Sequence, residues 1–307
     1  MDGHGNGASK CSRGYPFRMS PPTPRTWLSR PVILVLFAIA PPALALADAS
    51  QRKAPSCAGH KATIMGDQRG EDVIGTSGRD VIVLGDGGDS ADGRGGNDVI
   101  CAGGGPDNIR GGGGRDLLLG GDANDNLYGQ AGEDDLLGNS GDDRLLGGSR
   151  DDVLDGGRDF DETDLSEAPR RVVVNIETQR ARGHGTDRLE QIEGARGSRF
   201  DDLLVGDSNE NILNGWYGRD EVLGRDGCDR LDGGSGPDLV RGGGGNDMIV
   251  DDVGSNQLFG EDGNDYLIGS DKGLGDGGGN GNYGDICDAV GTAVGCEHSG
   301  GAWGCRI

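Results

Sequence analysis

Between residues 84 and 155 an aliphatic side chain returns at every ninth position: Ala91, Ile100, Ile109, Leu118, Leu127, Leu136, Leu145 and Leu154. Two residues before each stands an acid, in the series Asp89, Asp98, Asp107, Asp116, Asp125, Asp134, Asp143 and Asp152. In rows of nine counted from residue 84, the acid holds position six and the aliphatic residue position eight, while Gly fills most of positions one and four. Residues 197–268 follow the same grammar. Position six there is Asp202, Asn211, Asp220, Asp229, Asp238, Asp247, Asn256 and Asp265, and position eight is aliphatic throughout, from Leu204 to Leu267. A fixed period of this length is the signature of a repeat architecture.

The row predicts its own local structure. Gly at positions one and four admits backbone conformations that side chains forbid, so G-x-x-G-x-D reads as a tight turn. The following x-aliphatic-x reads as a strand of about three residues showing one apolar side chain to one face. Such a strand must stack on copies of itself, which makes a solenoid. With two rows per coil, rows eighteen apart lie one above the other, and a single layer of Leu, Ile and Val forms the core of an all-β fold. Ahead of residue 84 the frame reads as continuing with one residue deleted, through 70–74 and 78–82, with Asp80 in the acidic position. Residues 156–164 make a degenerate row holding Asp161. Residues 165–196, where Val172, Val174 and Ile176 alternate, read as an extended insertion without its own core, in which 185–189 briefly recover the motif.

Composition explains why so thin a core is needed. The 307 residues include 64 Gly but only 5 Phe, 5 Tyr and 3 Trp, and 33% hydrophobic residues, too few for a close-packed domain of this length. Acids outnumber bases 52 to 29, a net charge of −23, which argues against nucleic acid or an anionic membrane surface as partner. The first 47 residues differ: Lys10, Arg13, Arg18, Arg25 and Arg30 precede the apolar run 32–40, and Ala45-Leu46-Ala47 follows. That order reads as a secretory signal peptide, and the run is too short to span a bilayer. The chain beyond it, from Asp48, is expected to be secreted, with no membrane span after cleavage. The expected organisation is a signal peptide at 1–47, an N-terminal cap at 48–65, a first repeat block at 66–164, the insertion at 165–196, a second block at 197–268, and a Cys-containing cap at 269–307. Six cysteines follow the leader. A 287–296 bridge is the first pairing expected and 57–101 the second, with Cys228 read as either bonded or reduced.

Stacking creates an electrostatic problem. Acids eighteen apart lie about 4.8 Å from one another. One edge then carries Asp80, Asp98, Asp116, Asp134 and Asp152, and the other Asp89, Asp107, Asp125, Asp143 and Asp161. At an effective dielectric near 20 each neighbouring pair repels by roughly 3 kcal/mol. Several such pairs exceed the ~5–15 kcal/mol that stabilises a whole domain. Ca²⁺, which takes oxygen ligands at about 2.3–2.6 Å, fits between two such carboxylates, with main-chain carbonyls completing its shell. Mg²⁺ suits this less well, and Zn²⁺ would want regularly spaced His or Cys. The metal ligands expected are those ten aspartates with Asp202, Asp220, Asp229, Asp238, Asp247 and Asp265 of the second block. About a dozen Ca²⁺ ions would offset nearly all of the −27 net charge of the chain from Asp48.

These rows resemble the RTX, or haemolysin-type, calcium-binding repeat G-G-x-G-x-D-x-U-x. The resemblance implies a parallel β-roll that folds when Ca²⁺ binds, with the position-six aspartates as metal ligands. Ala123, Arg150, Phe200 and Asn209 depart from it at position four, and Asn211 and Asn256 at position six, where weaker or empty sites are expected. His4, His60, His184 and His298 are isolated, and no H-E-x-x-H, G-x-S-x-G or G-x-x-x-x-G-K-[ST] motif is present. The match to G-x-G-x-x-G at 273–278 is expected by chance in so Gly-rich a chain. The reading is therefore a non-enzymatic structural, adhesive or interaction protein, whose cell-surface or polysaccharide partner stays open. Two alternatives remain: an accessory or carbohydrate-active extracellular hydrolase using the solenoid surface, and a disordered acidic calcium buffer.

Overall fold

The computed structural model describes residues 56–66, 70–251 and 253–269, together with the short strands Leu274–Asp276, Gly279–Asn280, Ile286–Asp288 and Thr292–Val294. Rows eighteen apart pair in parallel, as in Val99↔Leu117 and Ile100↔Leu118 on one wall and Leu127↔Leu145 on the other. Among the described residues this builds one sheet of sixteen strands and a facing sheet of twelve, a β-solenoid of about 11 turns. Position-eight side chains from both walls meet in one continuous core. Ile100, Ile109, Leu118, Leu127, Leu136 and Leu145 have no exposed surface.

Ser90–Asp92, Leu203–Val205, Ile212–Asn214 and Arg230–Asp232 have the expected three residues, but most strands of the first block are longer. Asn108–Gly113, Leu117–Asp122 and Asp135–Ser140 each run six, from position seven through position three of the next row. Pairing skips position one and resumes at position two, so Gly103 pairs with Gly121 after the break at Ala102. In these strands position two is left-handed, at Gly112, Gly121 and Asn139, so the chain bends there without ending the ladder.

The conformational demand accordingly sits at positions two and four, where sequence alone pointed to one and four. Arg94, Gln130 and Asn139 at position two, and Ala123 and Arg150 at position four, all have φ between 73° and 90°. At Gly114 (position four, φ 131°) a Cβ would lie 1.7 Å from the Gly96 carbonyl of the coil below. Ala123 and Arg150 hold the left-handed backbone despite their side chains, at a strain of roughly 1–2 kcal/mol each.

The one-residue deletion ahead of residue 84 is not present. Asp72 pairs with Ser90, and the Glu71 N–H donates to Asp89 Oδ1 at 2.9 Å, both eighteen apart. Glu71 therefore occupies position six of an unbroken frame. Its longer side chain hid it from a pattern built on Asp.

The insertion joins the roll. Val173–Asn175 and Arg180–Arg182 form an antiparallel hairpin inside the sixteen-strand sheet, between Thr186–Glu190 and Leu203–Val205. Val172, Val174 and Ile176 enter the common core, in keeping with the absence of a separate one. On the other wall Glu162–Asp164 pairs directly with Gly194–Arg196, so the coils remain continuous across the hairpin.

Cys57 and Cys101 form a disulfide, and Cys57 packs with Val81 and Val99 in a small apolar cluster apart from the main core. Cys228 is also disulfide-bonded, which settles its state against the reduced reading. The 287–296 pairing, the signal segment 1–47 and most of the C-terminal cap lie outside the described residues. Among those described, no helix is long and apolar enough to cross a membrane.

Candidate metal centre

The position-six residues form two ladders along the edges where the strands turn. On one edge the backbone N–H of Asp80 donates to Asp98 Oδ1 at 2.7 Å, Asp98 to Asp116 at 2.8 Å, Asp116 to Asp134 at 2.8 Å and Asp134 to Asp152 at 2.8 Å. On the other, Asp89 donates to Asp107, Asp107 to Asp125, Asp125 to Asp143 and Asp143 to Asp161, at 2.7–2.9 Å. The second block repeats this in the steps Asp202 to Asp220, Asp220 to Asp238, Asp229 to Asp247 and Asp247 to Asp265. All these side chains are buried. The two edges have the membership that the period predicts, and one oxygen of each carboxylate is anchored by a neighbouring coil.

The second oxygen is different. Oδ2 of Asp98, Asp107, Asp116, Asp125, Asp134, Asp143, Asp152 and Asp161, and of Asp220, Asp229, Asp238 and Asp247, is buried without a hydrogen-bond partner. Except at Asp107, whose row opens with Ala102, and at Asp238, it is aimed at the position-one glycine of its own row. At Gly93 a Cβ would lie 2.5 Å from Asp98 Oδ2 and 2.5 Å from the Gly111 carbonyl oxygen of the next coil. Glycine at position one thus keeps open a seat where a carboxylate oxygen and a main-chain oxygen converge.

Burial is the main force on these groups, since it disfavours the charged form. It raises Asp98, Asp107, Asp116, Asp134, Asp143 and Asp238 to about 6, and Asp125 and Asp247 to about 7. Asp152, Asp161, Asp220 and Asp229 rise to about 8. The anchoring N–H counteracts this in part, and neighbouring carboxylates push in the same direction as burial.

The donors suit a hard cation. The seats present only oxygen, and an unpartnered buried carboxylate oxygen is what such an ion would satisfy. Among the described residues no three His, Cys, Asp or Glu side chains cluster tightly enough to hold a metal by themselves. Carbonyls such as that of Gly111 would have to complete the shell.

Three rows are built differently. Thr76 donates both its N–H (2.7 Å) and its hydroxyl (2.9 Å) to Asp80 Oδ2. Ser198 donates its N–H to Asp202 Oδ2 and its hydroxyl to Asp202 Oδ1. The Asp207 N–H donates to Asn211 Oδ1 at 2.7 Å. Asp80 and Asp202, expected to behave like the other aspartates, therefore have their second oxygen taken by their own turn. Conversely, Ala123 and Arg150 do not remove Asp125 and Asp152 of their rows from the ladder.

Two carboxylates escaped the sequence reading. The Asp152 N–H donates to Asp187 Oδ1 at 3.2 Å and the Asp161 N–H to Glu193 Oε2 at 3.0 Å, which carries both ladders into the insertion. Burial raises Asp187 to about 7. Its signal was legible in Gly185-Thr186-Asp187 with Leu189 two residues on, but at a spacing of 35 from Asp152 instead of a multiple of nine. Glu193 left no comparable mark.

A family model described as the RTX calcium-binding nonapeptide repeat matches residues 65–100, 74–109, 102–136, 137–161, 196–229, 223–250 and 241–271. Together these segments cover more than half of the chain. No curated protein matches it.

Proposed function

Since the chain belongs to the RTX calcium-binding nonapeptide repeat family, we propose that it is a secreted scaffold whose roll completes its fold when Ca²⁺ enters the seats between coils. The β-roll is a structural calcium-binding fold. The observation that carries the reading is the column of buried, unpartnered Oδ2 atoms from Asp98 to Asp161 and from Asp220 to Asp247. Ca²⁺ supplies positive charge and a large, flexible oxygen shell. The chain supplies one Oδ2 per row, the position-one carbonyl of the next coil, and an N–H anchor that fixes each carboxylate.

In this reading Asp89, Asp98, Asp107, Asp116, Asp125, Asp134, Asp143, Asp152 and Asp161, with Asp220, Asp229, Asp238, Asp247 and Asp265, hold the ions. Asp80 and Asp202 serve as metal-free ends of their blocks. The leader at residues 1–47 supports export to surroundings where calcium is plentiful and disulfides persist, and the Cys57–Cys101 bond suits such a compartment. The role there is structural or adhesive.

Far-UV circular dichroism of the chain from Asp48, in chelator and then in millimolar calcium, tests this, with titration calorimetry alongside. Gain of strand signal with uptake of roughly a dozen ions is expected. Unchanged strand content together with no heat of binding overturns it.

A further inference from the structure

One row departs from the repeat at two positions at once. Row 251–259 carries Asp251 where every other row of the second block has Gly at position one, and Asn256 where most have Asp at position six. The two departures answer each other in space. Asn256 keeps its place in the ladder, its Oδ1 accepting from the Asp238 N–H at 3.1 Å. The atom that replaces a carboxylate's second oxygen is an amide nitrogen, a donor that cannot ligate a cation. That nitrogen turns to Asp251, donating to its Oδ1 at 2.7 Å and its carbonyl oxygen at 3.0 Å.

So held, the Asp251 side chain is 1% exposed and its Oδ2 lies 2.3 Å from the point where a Cβ on Gly233 would be. In neighbouring rows that point is met by the row's own position-six Oδ2: Asp229 at Gly224 and Asp247 at Gly242, each at 2.3 Å. At Gly233 the Asp251 carboxylate reaches down from the coil above instead. Asp238, of the Gly233 row, is also buried, and its Oδ2 has no hydrogen-bond partner. Two carboxylates share one buried seat, which like charges tolerate when a divalent cation lies with them.

We infer that Asp251 is a calcium ligand, supplying between coils 233 and 251 the carboxylate that Asn256 lacks, so that this seat is filled. The inference rests on the calcium-binding reading above. Asn256 acts on the ion through Asp251 and is a positioning residue.

The test counts ions bound by the full chain in calcium, by native mass spectrometry and calorimetry, with circular dichroism as the measure of folding. Asp251→Gly restores the residue that the repeat prefers at position one, so the roll is expected to keep its strand signal while binding one ion fewer. The double variant Asp251→Gly with Asn256→Asp rebuilds the ordinary row and is expected to regain that ion. Asp251→Asn keeps shape and volume and should weaken the same ion at least tenfold. A wild-type ion count in Asp251→Gly, or a double variant still one ion short, overturns the inference while leaving the calcium reading intact. A wild-type chain that takes up no calcium sinks both.

Discussion

At the scale of single residues, the same position-six carboxylate meets two fates according to the residue four before it. Where position two is Gly, Arg, Gln or Asn in the left-handed region, the turn leaves Oδ2 aimed at the seat. Where it is Thr76 or Ser198, the side chain and its own N–H close on the carboxylate instead. Ser198→Ala removes the hydroxyl bonds to Asp202 and to the Phe200 N–H. It is expected to lower stability in calcium-loaded protein by roughly 1–3 kcal/mol without changing the ion count. Denaturant titration with calorimetry checks this, and a lost ion would show that Asp202 does bind metal. The aspartate column was legible because Asp recurs in it. The Ser/Thr closure was not, because it depends on which direction a turn's N–H faces, and a pattern of residue types does not record that.

At the scale of elements, position eight proved the most informative part of the sequence. It predicted which side chain of each strand enters the core, while the two-residue alternation of Val172, Val174 and Ile176 marked the insertion residues that join the same layer. The length of the six-residue strands was lost because their ladder resumes beyond a bend that sequence alone would read as a turn. Glu71 and Asp187 were lost because one changes residue type and the other changes spacing. Leu136 and Leu137 show how thin the core is, the first without exposed surface and the second only half-buried. Leu136→Ala should cost roughly 2–5 kcal/mol, the range for a buried leucine. Leu137→Ala should cost well under half of that. Thermal or urea unfolding in calcium separates the two, and equal losses would contradict a core one side chain thick.

At the scale of the whole molecule, the raised carboxylates tie folding to acidity as well as to calcium. Their folded-state values near 6 to 8 lie above the ordinary carboxylate range near 4. The folded chain therefore holds protons that the unfolded chain releases. The resulting stability is fully present below about pH 4 and is lost as pH rises through about 6 to 8. In chelator, strand signal is expected at pH 5 and loss of it by pH 8, with calcium restoring it at pH 8. Strand content indifferent to pH in chelator would show that protons and calcium do not compete for the same oxygens.

A rod of stacked coils, each touching only its neighbours, can be peeled from its tips. The Cys57–Cys101 bond joins residues 44 apart, and closing so long a stretch removes on the order of 4 kcal/mol of freedom from the opened chain. One tip of the rod is thereby clasped. In oxidising surroundings unravelling should begin elsewhere, and a reductant would let that tip fray first.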